Sequence, residues 1–374
     1  MRHTTTSPTA GTATGPVRHA RALAVAGGTS LALLALAACG GGGTEDAGGA
    51  DGTDGGAGGT VTLVTHDSFA VSEDVLAAFE EESGLTVEQV APGDGGALVN
   101  QLVLTKDAPL GDAVFGIDNT FASRAIDEGV LEPYTPAGLS DSAAQYTIGD
   151  GELTPVDLGD VCINVDHTWF TEQGIPEPVT LEDLTKPEYR DLLVVTNPAT
   201  SSPGLAFLLA TVGAFGEDGW EDYWADLRDN GVKVVDGWSD AYYVDFSGAE
   251  GAGPRPLALS YSTSPAFTVT EDGTASTTGA LLDTCFRQVE HAGVLANAEN
   301  PEGARELVDF LVSEAFQADV PEQMYMYPAD DSVALPEGWA EFAPLSEEPF
   351  DVAPEKISAN RDEWIQAWTA TVVG

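Results

Sequence analysis

The sequence predicts a globular α/β protein built on a parallel sheet with helices on both faces. Short β-branched runs alternate with helical segments over residues 60–128, and the alternation returns in the second half of the chain. Of the 374 residues, 43% are hydrophobic, which suffices for a sizeable core. At roughly 150 residues per domain, this length favours two domains.

The first half of the chain contains a regular order of strand and helix. A β-branched strand covers residues 60–64. In the helix that follows it, Ser72 suits the N-cap position and Gly84 the C-terminal cap. The later elements of this half are strand 86–90, helix 97–106, strand 113–115 and helix 121–128.

The second half repeats the pattern and ends in helices. Strands are predicted at 192–195, 232–235 and 257–260. Pro203 suits the first position of an apolar helix over 205–212. Further helices that would cover the sheets are predicted at 302–312, 314–318 and 355–369.

Polar and aromatic residues concentrate just after the predicted strands. Because ligands of parallel α/β sheets bind beyond the carboxyl ends of the strands, these loops are the candidate site. Trp238, Tyr261, Phe267 and Tyr325 lie at strand ends or in turn-rich segments. One such aromatic alone would more simply be a core residue. Several of them beside Asp94, Asp118 and Asp240 are typical of a site for a flat cation.

The charge balance excludes one large class of partners. The chain has 14 Lys and Arg against 61 Asp and Glu, a net charge of −47. Nucleic-acid binding needs clusters of basic residues, so the sequence speaks against it. The charge favours a cationic small molecule or a metal ion, and the simpler alternative is that acidity only keeps the surface soluble.

The amino terminus is an export signal. Arg2, Arg18 and Arg21 precede an interrupted apolar run that ends in Leu-Ala-Ala-Cys39-Gly, which is too short for a comfortable membrane span. This ending resembles the bacterial lipobox, so residues 1–38 are predicted to be a lipoprotein signal peptide and Cys39 the lipidated residue. The alternative is a free Cys39 behind an ordinary signal. Residues 40–59 include eleven glycines, and residues 39–59 are interpreted as the lipidated Cys and a flexible disordered tether.

Six motifs occur in one order that is characteristic of a known family. They are Thr-His66-Asp-Ser-Phe, Gly-Asp94-Gly95, Gly-Ile-Asp118-Asn, Thr-Ser201-Ser-Pro-Gly, Gly-Trp238-Ser-Asp-Ala-Tyr and Leu-Ser-Tyr261-Ser-Thr-Ser-Pro-Ala. Together with a late Met-Tyr325-Met-Tyr-Pro segment and a closing helix with two tryptophans, they resemble the thiamine-binding extracytoplasmic proteins of ABC importers, within the ferric-iron-type cluster of class II solute-binding proteins. The resemblance covers about residues 60–368.

The resemblance implies a class II periplasmic-binding-protein fold, in which two α/β lobes joined by two hinge strands close on a ligand cleft. Lobe 1 would comprise residues 60–160 and 286–374, and lobe 2 residues 161–285. The implied ligand-binding residues are His66, Asp94, Gly95, Asp118, Ser201, Trp238, Tyr261, Phe267 and Tyr325. Relatives often have Tyr at the positions of His66 and Phe267 and Trp at the position of Tyr325, and the last two differences keep an aromatic ring.

Two cysteines remain after Cys39. Outside the cytoplasm two such thiols usually pair, and the resemblance places both Cys162 and Cys285 at the crossings between lobes. We therefore expect a Cys162–Cys285 disulfide that ties the hinge strands. The alternative is two separate buried thiols.

The implied function is an extracytoplasmic receptor that binds thiamine or a thiamine phosphate and delivers it to the membrane subunits of an ABC permease. The expected protein is a monomer, anchored through Cys39 to the outer face of the cell membrane, with no cofactor, metal or nucleic acid. The sequence contains no Gly-x-Ser-x-Gly, phosphate loop, paired-His metal motif or Cys-x-x-Cys, so no enzyme activity is expected. The alternatives are a ferric-iron receptor using Tyr242 and Tyr243, a receptor for another cationic solute, and a thiaminase-like enzyme with Cys162 as nucleophile.

Overall fold

The computed structural model describes residues 59–249 and 253–374. The predicted signal peptide, Cys39 and the tether up to residue 58 lie outside the described residues. Within the described ranges, no helix combines the length and the apolar character that crossing a bilayer would need.

The described strands form one mixed sheet. They are β1 Gly59–Thr65, β2 Leu85–Val90, β3 Ala113–Asp118, β4 Leu131–Glu132, β5 Thr154–Asp166, β6 Leu193–Thr196, β7 Lys233–Val235, β8 Leu257–Tyr261, β9 Thr278–Leu295 and β10 Tyr327–Pro328. The order across the sheet is β2-β1-β3-β9-β5-β8-β6-β7, with β4 beside β9 and β10 beside β5.

Helices follow most of the strands. They are α1 Glu73–Ser83, α2 Gly95–Leu104, α3 Ala122–Asp127, α4 Asp141–Ala144, α5 His167–Gln173, α6 Ser202–Phe215, α7 Trp220–Asp229, α8 Pro301–Leu311, α9 Glu314–Met324, α10 Trp339–Phe342 and α11 Pro354–Val372. A π-helix, Asp240–Asp245, follows β7, and a 3₁₀ turn, Ser264–Phe267, follows β8.

Two long strands join two parallel groups. The first lobe carries β1, β2 and β3, which pair in parallel, and the second lobe carries β6, β7 and β8, which also pair in parallel. Between them β5 and β9 run antiparallel to each other, and each also pairs antiparallel with one group. The predicted lobe boundaries, 160/161 and 285/286, fall inside these two long strands.

The register of β5 and β9 brings the carboxyl ends of both groups together. Asp118, at the end of β3, is opposite Glu290 of β9, which is opposite Asp157 of β5. Tyr261, at the end of β8, is opposite Val161. The two strand ends are therefore only four residues apart along β5, and the loops that follow the strands of both lobes face one gap.

A disulfide between Cys162 and Cys285 lies at this crossing. Its Cα atoms are 4.3 Å apart, and both cysteines are completely buried. Because the bond joins the two strands that connect the lobes, it restricts sliding of one strand along the other.

The carboxyl-terminal helix, which the sequence analysis assigned to lobe 1, contacts both lobes. Trp368 of α11 packs edge-on against Trp224 of α7, with ring centroids 5.5 Å apart. On the other side, Arg361 lies over the ring of Phe121, 5.8 Å from its centroid. The large apolar ring of Trp368 is fully buried where it packs on the second lobe, so this contact holds α11 to that lobe.

The predicted strands and helices are confirmed within a few residues, and one helix is longer than expected. The sequence predicted a helix over 314–318, whereas α9 continues past Pro321 to Met324. Proline removes a backbone donor and usually ends a helix, so the last turn could not be predicted from the residues. That turn carries Tyr325 to the gap between the lobes.

Candidate ligand-binding cleft

A cavity of about 290 Å³ lies in the gap between the lobes. Its volume is at the lower end of the range for small-molecule sites. Aromatic, acidic and hydroxyl side chains from both lobes line it: His66, Asp67, Ser68, Phe69, Asp94, Ser202, Trp238, Ser239, Tyr243, Tyr261, Glu290, Tyr325 and Met326.

Trp238 is held rigidly in the wall of this cavity. Its Nε1–H donates to the Ser260 hydroxyl at 2.8 Å, and its backbone N–H donates to Asp94 at 2.9 Å. Tyr242 stacks on one face of the indole, with centroids 5.1 Å apart and an interplanar angle of 11°. The indole is 8% exposed and turns toward the cavity already oriented. A flat ligand can stack there without first ordering the side chain.

Tyr325 projects into the cleft from a strained backbone. It ends α9 in the left-handed conformation, with φ of 61°, which is uncommon for a residue with a bulky side chain. The hydroxyl of Thr263 donates to its carbonyl oxygen and helps hold this geometry. Such strain is concentrated at functional sites.

Phe267 does not line the cavity, contrary to the expectation for a cleft wall. Its ring stacks on Tyr325 with centroids 3.5 Å apart, so no third ring fits between them. Trp339 packs edge-on against it from behind. Phe267 therefore backs Tyr325, which has its own contact with the cavity.

Asp94 connects the two lobes across the cleft. Its carboxylate accepts the N–H of Gly95 at 2.5 Å, the N–H of Ser202 at 3.2 Å and the N–H of Trp238 at 2.9 Å. Gly95 and Ser202 are the first residues of α2 and α6, where helix dipoles favour an anion. Burial raises the pKa of Asp94, and hydrogen bonding by the N–H groups of Trp238 and Gly95 and by the Ser201 hydroxyl opposes the rise.

Gly95 permits a close contact between the lobes, Ser201 caps a helix, and neither residue lines the cavity. A Cβ atom on Gly95 would lie 2.0 Å from the Ser202 hydroxyl, so only glycine permits this approach. The Ser201 hydroxyl accepts the N–H of Gly204 at 3.3 Å and donates to Thr196 at 2.8 Å, which caps α6. Helix capping thus accounts for the position of Ser201.

His66 and Glu290 form an acid–base pair in the cavity wall. Nε2 of His66 lies 3.5 Å from the Glu290 carboxylate, while Nδ1 accepts the N–H of Ser68 at 3.2 Å. Burial lowers the pKa of His66, but the charge of Glu290, with smaller contributions from Asp94 and Asp67, raises it above the usual value overall. This histidine belongs to the cavity.

Asp118 lies behind the cavity and starts a helix. It is completely buried, and it accepts the Thr120 hydroxyl at 2.8 Å and the N–H of Phe121 at 3.1 Å. Burial raises its pKa to about 7, and the Glu290 charge adds to the rise. Asp118 therefore does not line the cavity, because its oxygens bond to the residues that lead into α3.

A family comparison decides what kind of protein carries this cleft. Residues 112–346 match the bacterial extracellular solute-binding proteins. The chain belongs to that family. Two relatives, the thiamine-binding periplasmic proteins of Salmonella typhimurium and Brucella suis, are each 30% identical to it over 83% of this chain, and the matches cover 93% and 91% of their own lengths.

Solved structures confirm the class II periplasmic-binding-protein fold for this solute-binding protein. A periplasmic thiamin-binding protein matches with a TM-score of 0.74 at 28% identity, covering 84% of this chain and 96% of its own. Iron-bound HitA from Pseudomonas aeruginosa matches with a TM-score of 0.66 at 20% identity, covering 83% and 99%. At that lower identity the likeness concerns the fold alone.

One residue of this cavity, Glu290, was not predicted from the sequence of this solute-binding protein. Glu290 lies within the long strand β9, and not in a loop that follows a strand. Gln288 and Glu290 are polar residues at alternate positions of a buried stretch, so their side chains lie on the same face of the sheet. Buried polar residues in this pattern are a signal in the sequence that could have indicated Glu290.

Proposed function

We propose that this protein captures thiamine or a thiamine phosphate between its lobes and delivers it to an ABC permease. The observation that carries the proposal is the pre-oriented Trp238 indole, which shares one cavity with Tyr325 and the carboxylates of Asp94 and Glu290. Aromatic faces and carboxylates together suit a flat cationic heterocycle. The names of the relatives support the same ligand.

Closure provides the mechanism of capture. Cavity-lining residues come from both lobes, so a ligand gains its full set of contacts only when the lobes meet. Binding therefore shifts the population toward the closed form, which is the form that would dock on the permease. The acidic surface attracts a cation over long range, and this attraction weakens with salt.

Trp238→Ala is expected to weaken thiamine binding more than tenfold, a loss of about 1.4 kcal/mol or more, because the stacking face is removed. Calorimetric titration of both proteins measures the change. Trp169→Phe is the matched control, since Trp169 lies on α5 and packs on Phe170 away from the cavity. Unchanged affinity in Trp238→Ala would remove Trp238 from the site.

The ferric-iron alternative is disfavoured by the placement of the tyrosine pair. Tyr242 is buried beneath Trp238, and burial raises its pKa, which opposes the phenolate that ferric iron requires. The described residues contain no group of three His, Cys, Asp or Glu side chains suited to a metal ion. We expect added ferric iron to produce no phenolate-to-iron absorption band.

We propose that the protein is a receptor and not an enzyme. The nucleophile of the thiaminase-like alternative, Cys162, is completely buried and bonded to Cys285, so it has no thiolate to offer. Thiamine should be recovered intact after long incubation with the protein.

The lipid anchor on Cys39 completes the proposal, with the protein held as a monomer at the outer face of the cell membrane. The basic start, the apolar run and Leu-Ala-Ala-Cys-Gly support it. Cys39→Ala is expected to move the protein from the membrane fraction to the soluble extracytoplasmic fraction. Equal membrane retention of both forms would contradict lipidation at Cys39.

A further inference from the structure

We infer that the His66–Glu290 pair couples ligand binding to a proton: the cation binds the form with a neutral His66 imidazole, and binding releases a proton from this pair to the buffer. This inference rests on the proposed function. The geometry that carries it is a histidine and a carboxylate in one cavity wall, 3.5 Å apart.

The contacts of the imidazole fit its neutral form. Nδ1 of His66 accepts the N–H of Ser68, so in this geometry Nδ1 carries no hydrogen and the ring proton is on Nε2, which faces Glu290. A second proton would bind to Nδ1, and its hydrogen would then point at the N–H hydrogen of Ser68. Protonation therefore breaks this contact in the loop 66–69, whose Ser68 hydroxyl lies 3.3 Å from the Ser239 hydroxyl of the other lobe.

The groups around His66 nevertheless favour protonation before ligand arrives. Glu290 of β9, Asp94 at the start of α2 and Asp67 of the same loop all face it with negative charge. From β3 it meets an uncharged neighbour, the ring of Phe115, with centroids 5.5 Å apart.

The carboxylate partner has its own acidic surroundings. Burial raises the pKa values of Asp157 of β5 and Asp118 of β3, and the charge of Glu290 adds to the rise of both. Gln288 donates its amide to Glu290 at 3.1 Å. From β8, the hydroxyl of Tyr261 lies 3.4 Å from Gln288 and completes the surroundings.

A cationic ligand competes with the proton for the same negative charge. When a positively charged ring enters the cavity, it can neutralise Glu290, and a second positive charge on His66 is then repelled by it. The proton leaves for the solvent. Affinity for a cation must consequently rise with pH until the free protein has lost this proton.

Calorimetry with thiamine in buffers of different ionisation enthalpy counts the released protons directly. At about pH 7, close to the ordinary histidine pKa, we expect a fraction of one proton to be released. Between about pH 6 and about pH 8, affinity should rise by about threefold to tenfold, because displacement of one proton changes affinity by at most tenfold per pH unit.

Two variants assign the proton to the pair. His66→Gln and Glu290→Gln should each bind thiamine without the buffer-dependent heat and with a flat pH profile. Any titration of the ligand itself is the same for wild type and variants in the same buffers, so it cancels in the comparison. His167→Gln is the matched control, since His167 pairs with Glu177 at 2.7 Å outside the cavity, and it should keep the full proton release.

The outcomes separate this inference from the proposed function. Tight thiamine binding with no proton release, or release that persists in His66→Gln, overturns the inference and leaves the function standing. Proton uptake on thiamine binding also overturns it, because the inference requires the opposite sign. Absence of binding at every pH with thiamine, its monophosphate and its diphosphate overturns both.

Discussion

Replacing both Cys162 and Cys285 by alanine is expected to lower the free energy of unfolding by about 4 kcal/mol. The disulfide joins residues 123 positions apart, so it removes a large amount of conformational entropy from the unfolded chain. Because the bond connects the two strands that carry the lobes, its loss also lets β5 and β9 slide against each other. Both consequences follow from its place at the crossing.

Denaturant unfolding, followed by circular dichroism, measures this change. Wild-type protein unfolded and refolded with reductant is the control, because it lacks the bond but keeps both sulfur atoms in the core. Both forms should unfold at a lower denaturant concentration than the oxidised protein. An unchanged midpoint in both would contradict a stabilising role for the disulfide.

Asp94→Ala is expected to weaken thiamine binding about a hundredfold, equivalent to about 2.7 kcal/mol. The substitution removes the acceptor of the N–H groups of Ser202 and Trp238, which are the points where the first lobe holds the second. Each hydrogen bond to a charged group contributes about 1.5 to 3 kcal/mol. The lobes of the variant should therefore spend more time open, and Trp238 should be less well oriented.

Glu88→Ala provides the matched control for Asp94→Ala. Glu88 is an exposed acid of β2 in the same lobe, so its removal changes the net charge equally without touching the cleft. Calorimetry should give wild-type affinity for this variant, and small-angle scattering of Asp94→Ala should report a larger radius of gyration. An Asp94→Ala protein with wild-type affinity would show that these hydrogen bonds do not hold the closed form.

The strand and helix pattern could be predicted from the sequence because it depends on residues that are close together in the chain. The alternation of β-branched runs with capped helices placed β1 to β3 and β6 to β8, and the rule that ligands bind beyond strand ends led to the right loops. His66, Asp94, Trp238 and Tyr261 all line the cavity for this reason.

Roles that depend on distant partners were not readable. Asp118 follows the same rule as Asp94, yet its oxygens accept hydrogen bonds from Thr120 and Phe121, and nothing local distinguishes the two aspartates. Phe267 reaches the cleft region, but Tyr325, 58 positions later, covers its ring. Glu290 was missed because its position in the cavity comes from the pairing of β9 with β3 and β5.

Calorimetric titration of the purified protein with thiamine, its monophosphate and its diphosphate tests the central claim most directly. The account predicts one binding site per chain for at least one of these compounds, with an affinity that falls more than tenfold in Trp238→Ala. Absence of binding heat with all three, from protein shown to be folded, would contradict the claim that the cleft is a thiamine site.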